Sequence, residues 1–129
     1  MKIEKFEDLD VWKGSVELVK KIYHITSYGK FSRDHNLQDQ TRRAIVSVSS
    51  NIVEGFEKNN NNEFIRFLTI AKGSCGEVRN CLILAEEVGH IDKNVFSELE
   101  DMADKISRQI GKFIKYLKQQ RQLGRFTKK

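Results

Sequence analysis

The chain has 129 residues, 39% apolar and 32% charged, with no proline and two cysteines. That length fits one domain with one core; the apolar share is low for a β-sandwich, and the absence of proline argues against a loop-rich fold while suiting long helices. The formal net charge of +5 is uneven, because Gly111–Lys129 holds seven cations and no acid while residues 1–110 hold 16 basic against 18 acidic side chains.

The first predicted helix covers about residues 6–28. Leu9, Trp12, Val16, Val19, Tyr23 and Thr26 recur at alternating spacings of three and four, the seam of a helical bundle. Glu7 or Asp8 suits its first turn, and Gly29 is its expected stop. The second helix covers 33–54, with Ser32 as N-cap, Asp34 in the first turn and Gly55 as stop. The polar, Asn-rich loop FEKNNNNE follows. The third helix covers 62–88, with a stripe of Phe64, Phe67, Leu68, Ala71, Cys75, Val78, Leu82 and Ala85. Gly73 and Gly76 inside it each cost up to ~1 kcal/mol relative to Ala, which points to a close helix neighbour at that level.

Gly89 ends the third helix and Asp92 caps the fourth, which covers 92–122. Val95, Leu99, Met102, Ala103, Ile106, Ile110, Phe113 and Leu117 fall within about 100° of arc, a one-sided stripe. The basic segment 123–129 is expected to fray. Four helices, short polar connections and heptad-like seams give an all-α, up-down-up-down bundle over residues 1–129.

The second helix is the unusual one. Ala44–Val53, AIVSVSSNIV, contains no charged side chain, and a helix without a charged face is normally enclosed. At about 100° per residue, Leu37, Ala44, Ile45, Val48 and Ile52 form the core stripe. Gln40, Arg43, Ser47, Asn51 and Glu54 form a polar stripe beside it. Val46 and Val53 fall on the far side, where a monomer would expose Lys or Glu, so they are candidate oligomer-interface residues. Ser74 and Glu77 of the third helix lie beside its apolar stripe, and a hydrogen-bonded set joining them to the polar stripe is geometrically possible. One reading is a network that fixes register between helices or subunits. The other is a catalytic or ligand pocket with Glu54 and Glu77 as paired carboxylates beside Arg43. The structural reading is the stronger, since no histidines join the carboxylates and the Glu-x-x-His repeat of di-iron bundles is absent.

No other constellation carries chemistry. His24, His35 and His90 are scattered, and no phosphate loop, nucleophile elbow or CxxC pair is present. Cys75 and Cys81 point about 120° apart on one helix and cannot bridge each other; both read as small buried groups in a reducing compartment. No cofactor, metal or small-molecule substrate is expected. No apolar run approaches the ~18 residues of a membrane span, and MKIEKFEDLD is too acidic and polar for a signal peptide, so the expected location is cytoplasmic. The basic end, with Lys112, Lys115, Lys118, Arg121, Arg125, Lys128 and Lys129, suits nucleic acid or another acidic surface. It also suits a solvated helix end whose cations offset the dipole.

These residues together resemble the four-helix-bundle family of 23S rRNA intervening-sequence proteins. The first helix carries an F-x-x-L-x-V-W pattern as Phe6, Leu9, Val11 and Trp12. The second carries Gln40, Arg42, Arg43, Ala44, Ser47, Asn51, Ile52, Glu54 and Gly55. The third carries Glu63, Phe64, Phe67, Leu68, Ile70, Ala71, Gly73, Ser74 and Glu77. Many relatives have Phe-Pro where this chain has Phe31-Ser32, and serine can cap in proline's place. The resemblance implies a left-handed up-down bundle assembled into a ring, commonly a pentamer, without implied catalysis. Relatives are encoded within large-subunit rRNA genes, and a similar bundle is the reverse-transcriptase-binding accessory protein of diversity-generating retroelements. The expected role is a non-enzymatic homo-oligomer that binds RNA or a ribonucleoprotein partner, or alternatively a protein–protein scaffold or accessory subunit.

Overall fold

A computed structural model describes residues 3–123, and among these the regular structure is entirely helical. A 3₁₀ turn, Phe6–Asp8, precedes α1 (Asp10–Ile25); then come α2 (Gly29–Arg33), α3 (His35–Glu57), α4 (Asn61–Glu87) and α5 (Lys93–Gln122). The four long helices pack around one continuous core that includes Leu18, Ile22, Ile45, Ile52, Leu68, Leu82, Leu99 and Ile110. Cross-helix neighbours fix how they lie. Arg42 of α3 reaches Tyr23 of α1, Ser47 meets Ser74 of α4, and Gly55 lies against Phe67. Arg79 and Asn62 of α4 meet Glu100 and Arg121 of α5, and Lys21 of α1 meets Glu98.

The helix ends follow local chemistry. The Asp34 carboxylate accepts from the Leu37 amide (3.1 Å), the Asn60 side chain from the Glu63 amide (3.0 Å) and the Asp92 carboxylate from the Val95 amide (2.8 Å). Each satisfies one of the amides that a helix start leaves unpaired. α4 ends in a Schellman motif: the His90 amide donates to the Ala85 carbonyl (2.8 Å) and the Gly89 amide to the Glu86 carbonyl (3.0 Å). Gly89 takes a φ of +83°, which glycine adopts without strain.

Several sequence expectations are corrected here. The first helix does not run through residues 6–28: Leu9 is extended, breaking the turn from α1, and α1 stops at Ile25, with a further short helix at 29–33. Its buried row is Val11, Ser15, Leu18, Ile22 and Ile25. Of the expected seam, Leu9 and Thr26 are buried at either end of the helix, Trp12, Val16 and Val19 are half-buried, and Tyr23 is exposed. Ser32 is not the N-cap of α3, because Asp34 takes that position while the Ser32 hydroxyl donates to the Gly29 carbonyl (2.7 Å). Gly55 is not a stop either. α3 continues to Glu57, and a Cβ at Gly55 would stand 2.8 Å from Phe67 Cβ and 3.0 Å from Phe64 Cδ1. The glycine lets α4 approach.

Candidate nucleic-acid interface

On the polar flank of α3, the Ser47 and Ser74 hydroxyls are 2.9 Å apart. Asn51 Nδ2 donates to the Ser47 carbonyl (2.8 Å) and to its hydroxyl (3.1 Å). The larger network expected from the sequence does not form. Gln40 donates to Asn36 Oδ1 (3.0 Å), and Glu54 faces Lys58 at 3.9 Å. Arg43 and Glu77 are exposed, and neither has a hydrogen-bond or ion-pair partner among the described residues. The projection put these seven side chains on adjacent faces, but long exposed side chains find solvent or near neighbours on their own helix, and only the Ser47 and Ser74 hydroxyls bridge α3 to α4, while the Asn51 amide bonds back to Ser47 within α3.

Between those helices lies an open groove of about 1110 Å³, with Tyr23, Arg42, Arg43, Ser47, Gly73 and Glu77 among its lining. Gly73 and Gly76 sit on its α4 side, and a Cβ at either would meet nothing within 4 Å. The close neighbour expected at these glycines is therefore not supplied by the protomer. Arg42, read from sequence only as part of a motif, ties the groove's end to α1. Its Nε donates to Thr26 Oγ1 (2.8 Å), and its guanidinium lies 4.4 Å from the centre of the Tyr23 ring. Glu54 does not line the groove, so the two carboxylates considered for a catalytic pair are not brought together there. Val46 is 37% exposed and Val53 half-buried.

The remaining titratable groups have structural surroundings. Burial pushes the Cys75 thiol up to about 11 and raises that of Cys81. His90 Nε2 meets Asp34 Oδ2 at 2.9 Å, and its ring lies 5.2 Å from that of Phe31. The hydrogen bonds from His90 and the Leu37 amide hold the Asp34 carboxyl below its ordinary value. Among the described residues no group of three or more His, Cys, Asp or Glu side chains could hold a metal ion, and no helix is long and apolar enough to cross a membrane.

The basic end of α5 differs from the rest of the sequence in having no acidic residue among its cations. Elsewhere many cations have carboxylate partners: Lys20 with Glu17, Lys21 with Glu98, Arg66 with Glu63, Arg79 with Glu100, Arg108 with Asp104. Asp104 is the last acidic residue of the chain. Beyond it Lys112, Lys115, Lys118 and Arg121 are all exposed. Arg121 donates to Asn62 Oδ1 (2.8 Å), a neutral partner, so its charge is not cancelled. Arg125, Lys128 and Lys129 lie outside the described residues.

The profile of the 23S rRNA-intervening sequence protein family matches residues 7–112. The chain belongs to this family. Its fold is similar to the crystal structure of a protein of unknown function from the S23 ribosomal protein family of Bacteroides thetaiotaomicron, with a TM-score of 0.74 at 21% identity, covering 81% of this chain and 98% of that one. No curated protein matches. The matched segment holds the groove and the Ser47–Ser74 contact, and ends at Lys112, so most of the basic row lies past it.

Proposed function

We propose that the protein is a non-enzymatic, homo-oligomeric module of the cytoplasm that binds RNA through the basic end of α5. The single observation that carries this reading is the acid-free run after Asp104, in which Lys112, Lys115, Lys118 and Arg121 are exposed and none is paired with a carboxylate among the described residues. Phosphate binding by such a row releases counterions, so it is strong at low salt and steeply salt-dependent. The cross-helix neighbours support an up-down-up-down order, for which we propose the left-handed form, and ring assembly into a pentamer would multiply the basic ends.

Support for self-association comes from Val46, exposed within the uncharged run Ala44–Val53, and from Gly73 and Gly76 across the groove, where a Cβ would meet nothing within 4 Å. The test of RNA binding is affinity against salt for a structured RNA. Four cations engaging phosphates predict a log–log slope near −3 per protomer, at roughly −0.7 to −0.9 per phosphate. Replacing Lys115, Lys118, Arg121 and Arg125 with Gln should remove most of it. Undetectable binding at low salt, or binding indifferent to these replacements, sinks the reading. For assembly, light scattering should give a mass several times 15.0 kDa, whereas a monomer at micromolar concentration would refute the role given to Val46 and Val53.

A second reading, an accessory subunit for a protein partner such as a reverse transcriptase, draws on one observation. Ile83 and Leu84 on the last turns of α4 and Val88 just past its end are all exposed. It predicts a purified protein free of nucleic acid and a protein partner lost when Leu84 and Val88 become Ser.

A further inference from the structure

We propose that the outer face of the last turns of α5 is a site for single-stranded RNA, in which a base stacks on Tyr116 while Lys112, Lys115 and Lys72 hold the flanking phosphates. This rests on the RNA-binding reading above and adds to it the kind of RNA and the residue that selects it.

The protein has three tyrosines, and two of their rings are already engaged. Tyr23 lies under the Arg42 guanidinium at 4.4 Å, and Tyr28 packs against His24 at 5.3 Å between ring centres. Tyr116 is 42% exposed, and among the described residues no ring or cation covers it. Yet it stands within one helical turn of Lys112 and Lys115, both exposed and both without an acidic partner. Gln119 and Gln120 complete its surroundings. An open aromatic face among uncancelled cations is the combination by which proteins hold single strands: the ring takes a base, and the cations take the backbone.

Gly111 brings in a further cation. A Cβ there would stand 3.4 Å from Lys72 Cε, so the absence of a side chain leaves room for Lys72 of α4 to lie against α5. Its ammonium thereby joins the basic row from the neighbouring helix. Lys112, Lys115 and Lys118 advance at three-residue steps, about 4.5 Å each, so together they follow a strand for about 9 Å. The ring decides the ligand's form. A base inside a duplex is stacked on both faces and cannot reach Tyr116, whereas an unpaired base can.

The experiment is fluorescence anisotropy on the full chain with a labelled mixed-sequence RNA, as a single strand and as its duplex, over a salt series. The expected result is tighter binding of the single strand, loss of roughly tenfold in its affinity with Tyr116→Ala, retention with Tyr116→Phe, and little change for the duplex. Lys72→Gln should reduce the single-strand salt slope by about 0.7. Equal affinity for both forms, or Tyr116→Ala binding as tightly as the parent, overturns the stacking site and leaves the RNA-binding reading standing. Equal losses with Phe and Ala also overturn it, since Phe keeps the ring. Absence of binding to either form removes both. Tyr116 is at the surface, and circular dichroism checks that each variant is folded.

Discussion

The α3–α4 pair is closed at one end and open in its middle, and glycine marks both places. At Gly55 the missing side chain is used within the protomer, since Phe67 and Phe64 occupy the space a Cβ would need. At Gly73 and Gly76 the missing side chains leave space that nothing in the protomer enters. Mid-helix glycine costs about 0.5–1 kcal/mol relative to alanine in either setting. At Gly55 that cost is offset by close packing against buried Phe64 and half-buried Phe67. At Gly73 and Gly76 no compensation is found among the described residues, so these two positions, unlike Gly55, are the ones at which the proposed assembly can be tested.

The sharpest way to test this contrast is Gly55→Ala, expected to lose about 1–3 kcal/mol of stability through overpacking, read from urea denaturation. Retention of full stability would mean that Phe67 and Phe64 can move aside. Next is Ser47→Ala, which leaves the buried Ser74 hydroxyl without its partner and should cost about 1 kcal/mol. The Ser47→Ala/Ser74→Ala pair should then lose less than the two single changes combined. At the open position the sign reverses. Gly73→Ala should raise the stability of the isolated protomer by about 0.4–1 kcal/mol, while lowering the mass seen by light scattering if a second chain seats there. A stabilised variant of unchanged mass would separate Gly73 from the interface.

The smallest effect is expected at the far limit of the pair, where Asp34 and His90 join the start of α3 to the end of α4. Because the Asp34 carboxyl is held below its ordinary value of 3.8, its contribution is present above that value and fades as pH falls through the lower folded value. The melting temperature of Asp34→Ala should therefore lie below the parent's at neutral pH, and the two should converge in strong acid.

The sequence makes most helices legible because their ends carry distinctive chemistry. Asp92 and Gly89 act at the ends where the carboxylate, or the lack of a side chain, predicts it, while the start of α4, expected at residue 62, is capped slightly earlier by Asn60. Gly55 misleads because glycine serves helix termination and close approach equally well, and only the partner helix distinguishes them. The seam of α1 misleads for another reason. Two apolar rows run side by side there, and the buried one contains Ser15, whose hydroxyl satisfies itself on the Trp12 carbonyl at 2.7 Å. A count of apolar residues favours the row through Trp12, Val16 and Val19, which within the helix is only half-buried. At the candidate site the cations could be read directly, since their number and the lack of acids are properties of the sequence. The placement of Lys72 beside Gly111 could not, because it depends on how α4 and α5 align.

The cation row on α5 also acts on its own helix. Lys112, Lys115, Lys118 and Arg121 stand three residues apart with no intervening acid, so neighbouring turns repel one another. Added salt screens that repulsion and firms the end of the helix, while the same salt would weaken the RNA binding proposed for it. A bound strand would do both at once, supplying the missing negative charge and stiffening the segment that grips it. Amide exchange in the last turns of α5 should accordingly slow with rising salt in the free protein, and slow most at low salt when RNA is present.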